Sequence, residues 1–334
     1  MNRADWMLLL PEIVLCGGGV LVMMLEAISP ALRRAFMALS LLTTAVAAWA
    51  VYWVTPGHTV TGDAATFHGL LETSPTTAAF SWVILLATAL CLLASQGYLR
   101  RERILSGEYH ALLLWCATGL LLMLRATELL TVFLSLELLS LALYSLAAYH
   151  RRLAISGEAA IKYFLMGAFV SAFVLYGIAL VYGATGTTHF AEIGPALAGQ
   201  PDVPVLAILG FLMLIAGFGF KMSLVPFHAW SPDTYQGAPS PFVAFLSVAP
   251  KVASALVRLT PRSDPLVAPA ELRAFRAFVT ACFTRRRKQL RNVVIAATGR
   301  PAPTVLAGLA QLALDPAARP ETLTPEQFVR LWRW

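Results

Sequence analysis

Eight apolar runs divide most of this chain: Trp6–Ile28, Arg34–Val54, Ala78–Ala94, Tyr109–Leu124, Leu129–Ala148, Ala159–Gly183, Val203–Val225 and Ser240–Leu259. A bilayer core takes about 20 apolar residues of helix. These runs are near-continuous rather than alternating, so they spell helices and not the strands of a membrane barrel. Composition agrees. The chain is 58% hydrophobic and only 13% charged, against about 25% charged in a soluble domain. The expected fold is all-α: a polytopic transmembrane helix bundle of about eight spans over residues 1–259, then a small, soluble, helical basic tail over 260–334.

The first run does not read as a signal peptide. Only Arg3 precedes it, Glu12 interrupts it, and no clear small-residue cleavage site follows. The four cysteines, Cys16, Cys91, Cys116 and Cys282, show no metal-ligand spacing and read as small buried hydrophobes.

Basic groups follow the first run (Arg33, Arg34), the third (Arg100, Arg101, Arg103) and the fifth (Arg151, Arg152). The second and sixth connections carry no Lys or Arg, but hold Asp63, Glu72, Glu192 and Asp202. The positive-inside rule then puts the amino terminus outside and the odd-numbered connections in the cytoplasm. The net charge of +7 is unevenly spread: residues 251–334 hold 14 basic and 5 acidic groups, the rest of the chain 11 and 13.

Charges inside the apolar runs carry the functional signal, because a charged side chain at mid-bilayer costs about 2.5–3.5 kcal/mol even on the lenient insertion scale. Glu137 sits in the middle of the fifth run, with Ser140 and Tyr144 at i+3 and i+7 on the same helical face. Such a stripe points into a bundle or a water path, or marks a protonated carboxyl bonded to a neighbouring helix. Glu128 is half a turn out of phase and reads as an interfacial group. Lys162 follows Glu158 at i+4 near the start of the sixth run, which fits either a weak local pair with snorkelling or a working group. Lys221 lies near the end of the seventh run. Pro226 interrupts the hydrogen-bond ladder beyond it, and His228 follows seven residues on. Broken helices at membrane depth are tolerated where they line a cavity. Desolvation favours a neutral amine and a nearby carboxylate favours an ammonium, so a moving carboxylate can switch such a lysine. Lys251 repeats the theme beside Pro250. The residues alone reach a proton or cation path and no further.

Three stretches are more specific. Ser156–Phe164 (Ser-Gly-Glu-Ala-Ala-Ile-Lys-Tyr-Phe), Ala172–Gly186, and Pro226–Pro239 with its Tyr-Gln-Gly-Ala-Pro ending resemble subunit N of the proton-pumping NADH–quinone oxidoreductases (respiratory complex I) over roughly residues 1–253. The resemblance implies that Glu137 pairs with Lys221 of a broken seventh helix. It implies that Lys162 tunes the pair, that Lys251 passes protons along a polar axis, and that His228 lies beyond the break. It also implies a subunit of a translocating enzyme in a bacterial inner (plasma) membrane, in contact with lipid and other membrane subunits. NADH, FMN, iron–sulfur clusters and quinone would be used elsewhere in the complex, so no cofactor or metal site is expected here. A multisubunit cation/proton antiporter subunit is the alternative, and the Tyr235–Pro239 ending argues against it.

Just after Lys251 the chain departs from that family, whose members run to about fourteen helices in two inverted halves. Ala249–Arg262, Phe283–Asn292 and Leu314–Leu323 resemble instead the carboxy-terminal helical domain of small-subunit rRNA adenine dimethyltransferases, with Arg-Arg-Lys-x-Leu-Arg-Asn as the specific signature. The expectation is a chimera whose first part is incomplete, and a non-functional chimera with an RNA-binding-type tail is a further alternative. No methyltransferase activity is expected, since the cofactor-binding domain and the Asn-Leu-Pro-Tyr-type motif are absent. The Arg285–Arg291 cluster reads as a solvated charge run rather than a nucleic-acid site.

Overall fold

The computed structural model describes residues 3–29, 33, 35–55, 65–66, 69–198, 204–255, 271, 274–275, 278–279, 282, 288–318, 320, 323 and 325–334. The chain separates into two compact units, Met1–Val257 and Arg258–Trp334.

In the first unit the apolar runs become helices. These are α1 (Arg3–Leu8), α2 (Leu10–Ile28), α3 (Phe36–Val54), α4 (Pro75–Arg101), α5 (Gly107–Arg125), α6 (Leu129–Ala147), α7 (Ala154–Thr185), α8 (Phe190–Ala198), α9 (Val205–Lys221), α10 (Ser231–Gly237) and α11 (Ser240–Ala255). Six of them, α2 to α7, are long and apolar enough to cross a membrane. The seventh run yields the 17-residue α9, and the eighth yields the 16-residue α11 with Pro250 inside it. Residues 256–259, the end of the eighth run, lie outside the described residues. The helix bundle is as the runs foretell, with fewer full-length spans than eight.

Local chemistry sets the helix ends. Ser74 opens α4 with a reciprocal capping box. Its hydroxyl accepts from Thr77 N–H at 3.2 Å, and Thr77 Oγ1 accepts from Ser74 N–H at 2.8 Å. Ser106 opens α5, and Glu26 of α2 accepts from both the Ser106 hydroxyl and the Gly107 amide. That places a carboxylate on the positive end of a helix dipole. Between α3 and α4 a two-stranded antiparallel hairpin, β1 (Ala65–Thr66) and β2 (Leu71–Glu72), bridges to Ala126 after α5. Two-residue strands leave no alternation to read, so the sequence showed only a loop.

The core lies around α5, whose Leu113, Leu114, Cys116, Ala117 and Leu120 are fully buried among α2, α4, α6 and α11. The pair α7/α9 packs beside it by close approach. A Cβ on Gly210 would lie 2.9 Å from the Gly177 carbonyl oxygen, and one on Gly217 would lie 2.2 Å from Val174 Cγ2. Small residues at membrane helix contacts let backbones meet in this way. Of the cysteines, Cys91, Cys116 and Cys282 are buried. Cys16 is exposed, on the outward side of α2 with Ile13 and Val20, where a lipid tail and a core side chain are equally apolar surroundings.

The second unit holds α12 (Leu290–Thr298), α13 (Ala302–Gln311) and α14 (Pro325–Arg333). The first two form a hairpin bent by 118° around Leu290, Val294, Val305 and Leu309. Arg300 stands 4.6 Å over the Trp334 ring and donates to its carbonyl. Of the basic cluster, Arg285, Arg286 and Arg287 lie outside the described residues.

Candidate functional site

The helix that carries Lys221 stops at Lys221 itself. Ser223 takes a left-handed backbone conformation (φ 56°), and Leu224 N–H reaches back to the Gly219 carbonyl at 2.8 Å. This is a Schellman-type ending with serine where glycine is usual. The break therefore begins before Pro226 and is made by the turn at Ser223; the proline lies three residues further on. A turn follows to Trp230, and α10 starts at Ser231.

Lys221 on α9 meets α6 at Ser140, one turn beyond Glu137, yet Glu137 and Lys221 do not form a contact pair. Among the described residues no carboxylate oxygen lies within 4.0 Å of Lys221 Nζ. Lys221 donates instead to the Ser140 hydroxyl, and its ammonium stands 5.7 Å from the centre of the Tyr144 ring. Glu137 Oε1 accepts from the Ser171 hydroxyl of α7 at 2.5 Å. The 3.6-residue period put Ser140 and Tyr144 on Glu137's side of α6, and both meet the lysine. Ser171 escaped notice, because a single serine in an apolar helix gives no periodic signal.

Lys162 lies on an exposed face of α7, between Glu158 Oε1 at 2.8 Å and Asp233 Oδ2 at 2.9 Å. The local i, i+4 pair is present, and Asp233 of α10 adds a partner 71 residues away that spacing does not reveal. Lys251 on α11 stands 5.6 Å over the Tyr235 ring, again on α10. Trp230, just before α10, donates from Nε1 to the Phe220 carbonyl at 2.8 Å. The short Trp230–Gly237 segment thus touches the surroundings of three lysines. His228 is exposed in the turn between α9 and α10; its carbonyl receives the Ser231 amide and hydroxyl.

Three further charged groups have partners that spacing does not name. Glu128 stands at the N-terminal end of α6, where the run begins, and is buried there. It accepts from Thr131 at 2.9 Å and Thr188 at 2.7 Å, so hydroxyls from α6 and the loop before α8 replace water. Glu12 and Arg125 form a buried ion pair at 2.7 Å, and Arg125 also donates to Thr73 at 2.8 Å. A small cavity of about 10 Å³ adjoins them, lined also by Thr55, Thr77 and Ser81. Among the described residues no cluster of three or more His, Cys, Asp or Glu side chains is placed to hold a metal.

Comparison with known proteins gives these features a context. Residues 126–279 match the family described as "NADH:quinone oxidoreductase/Mrp antiporter, TM". NADH-quinone oxidoreductase subunit N 2 of Koribacter versatilis is 40% identical over 259 residues, 76% of this chain and 53% of that protein. Subunit N of Myxococcus xanthus is 39% identical over 267 residues, 78% of this chain and 50% of that protein. The chain spans about half the length of the curated relatives it matches. A chain of respiratory complex I from Thermus thermophilus, solved with bound aureothin, superposes with a TM-score of 0.60 at 30% identity, covering 90% of this chain and 65% of that one. A chain of the Mrp complex from Dietzia shares the fold alone, with a TM-score of 0.58 at 21% identity over 91% of this chain and 33% of that one. Over its transmembrane part, the chain is thus similar to the N subunits of NADH-quinone oxidoreductases.

Proposed function

We propose that this chain is a membrane subunit of an NADH-quinone oxidoreductase and moves protons through a carboxylate–lysine relay, driven by quinone reduction elsewhere in the complex. The observation that carries the reading is the Lys221–Ser140 hydrogen bond, which brings the lysine to within one turn of Glu137 on α6, at the point where α9 breaks. A carboxylate and an ammonium held close but apart have two arrangements. In contact, the lysine keeps its proton; separated and desolvated, it gives the proton up. Lys162, held between its counter-charges Glu158 and Asp233, biases that choice from α7. Lys251, on α11, takes the proton onward, and His228 lies beyond the broken helix. Those roles follow the family resemblance and the placement of the residues. The amino terminus is placed outside a bacterial plasma membrane by the basic odd-numbered connections. The partners are other membrane subunits and lipid. NADH, FMN, iron–sulfur clusters and quinone act in the rest of the complex, and nucleic acid is not assigned to the tail.

The test replaces Glu137 by Gln, which keeps shape and removes the charge. In membrane vesicles holding the assembled complex, Glu137→Gln is expected to lower NADH-driven proton uptake on the order of 10²-fold, the low end for a group that hands on protons. Wild-type uptake by an assembled Glu137→Gln complex would end the relay reading. Proton uptake driven by a sodium gradient, with no response to NADH, would move the chain to the antiporter alternative.

A further inference from the structure

Glu137 and Lys221 each bond a serine instead of each other, and the two serines come from different helices. Ser171, on α7, is nine-tenths buried and spends its proton on Glu137 Oε1. Ser140, on α6, is fully buried and spends its own proton on the Leu136 carbonyl. Its oxygen is left as an acceptor only, and Lys221 Nζ fills it. The donor at the carboxylate and the acceptor at the amine stand where each charged group would otherwise take the other.

Opposite charges in a low-dielectric interior attract strongly, so without competing partners this pair would close. Hydrogen bonds to charged groups belong to the strong class and compete on similar terms. We propose that Ser171 and Ser140 are positioning residues that hold Glu137 and Lys221 in the separated arrangement of the switch. The proposal rests on the relay reading above. It adds that the open arrangement is a bonded state of its own, built from two hydroxyls, and is more than the absence of a pair.

A hydroxyl lost at either serine tips the balance towards the closed pair, and a closed pair does not hand on its proton. In vesicles holding the full complex, Ser171→Ala is expected to lower NADH-driven proton uptake about tenfold, while NADH oxidation by a soluble acceptor stays unchanged. Ser171→Thr keeps the hydroxyl and is expected to restore uptake to within about twofold. Ser140→Ala, on the other helix, is expected to repeat the loss and serves alone if the Ser171→Ala chain is missing from the membrane. Wild-type uptake in the alanine variants overturns the proposal, as does an equal loss in Ser171→Thr, which would mark a packing role. The two readings fail separately. Wild-type uptake in Glu137→Gln removes the relay itself, whereas loss in Glu137→Gln with none in the serine variants removes the serines alone.

Discussion

Replacing Arg125 by Ala should destabilise the transmembrane unit by about 3–5 kcal/mol, the usual cost of leaving one partner of a buried ion pair alone. Arg125 and Glu12 are only 5% and 4% exposed, so the stranded carboxylate would have little water to turn to. The guanidinium also holds Thr73, which stands just before the cap of α4. Its loss therefore loosens three helices and one loop at once. Thermal unfolding of the full chain in lipid nanodiscs measures the effect. The double replacement Glu12→Met with Arg125→Met is expected to recover most of it, since an apolar pair of similar volume often matches or exceeds a buried ion pair. Glu12 Oε2 and Arg125 Nε have no protein partner among the described residues, so the pair is not ideally satisfied, and a modest net worth is consistent with that. An Arg125→Ala chain that melts within about 1 kcal/mol of wild type would show that the adjoining cavity hydrates the carboxylate freely.

This pair also shows where sequence reasoning stops. Glu12 was visible as an interruption of an apolar run, and Arg125 closes another run 113 residues later. An arginine at the end of a span reads as an interfacial group, and nothing in either run names the other. The same blindness hid Asp233 from Lys162 and Ser171 from Glu137, because each partnership crosses between helices. What periodicity carries within one helix was legible: the membrane bundle, the Glu137–Ser140–Tyr144 face and the Glu158–Lys162 pair. The break in the seventh run was legible too, though its cause was not. A proline is a loud signal, and Pro226 took the credit. The helix is closed earlier by Ser223 adopting a conformation that serine seldom takes, and only coordinates reveal that.

Trp230 ties that broken end to the bundle, and Trp230→Ala is expected to cost about 3–5 kcal/mol. Its indole is 2% exposed and lies flat on Tyr163 of α7, with ring centres 4.6 Å apart and planes 14° from parallel. It also leans on Phe220 at 5.4 Å and donates to the Phe220 carbonyl. That carbonyl also accepts from the Ser223 N–H at 3.0 Å, so the indole is its second donor. One side chain therefore fills the core, caps α9 beside Lys221, and starts α10 with its Asp233 and Tyr235. Truncation leaves a cavity and removes one of the carbonyl's two donors, and those costs add. Trp230→Phe separates them. It keeps most of the stack and removes the N–H, so about 0.5–1.5 kcal/mol should remain, the net worth of one hydrogen bond to a carbonyl that keeps its Ser223 donor. Both values come from thermal unfolding of the full chain in nanodiscs. Proton uptake should fall further in Trp230→Ala than in Trp230→Phe, because only the first frees α10, which faces Lys162 and Lys251. Equal stability of the two variants would locate the whole effect in the hydrogen bond, and the stack on Tyr163 would then be incidental to how Lys221 is held.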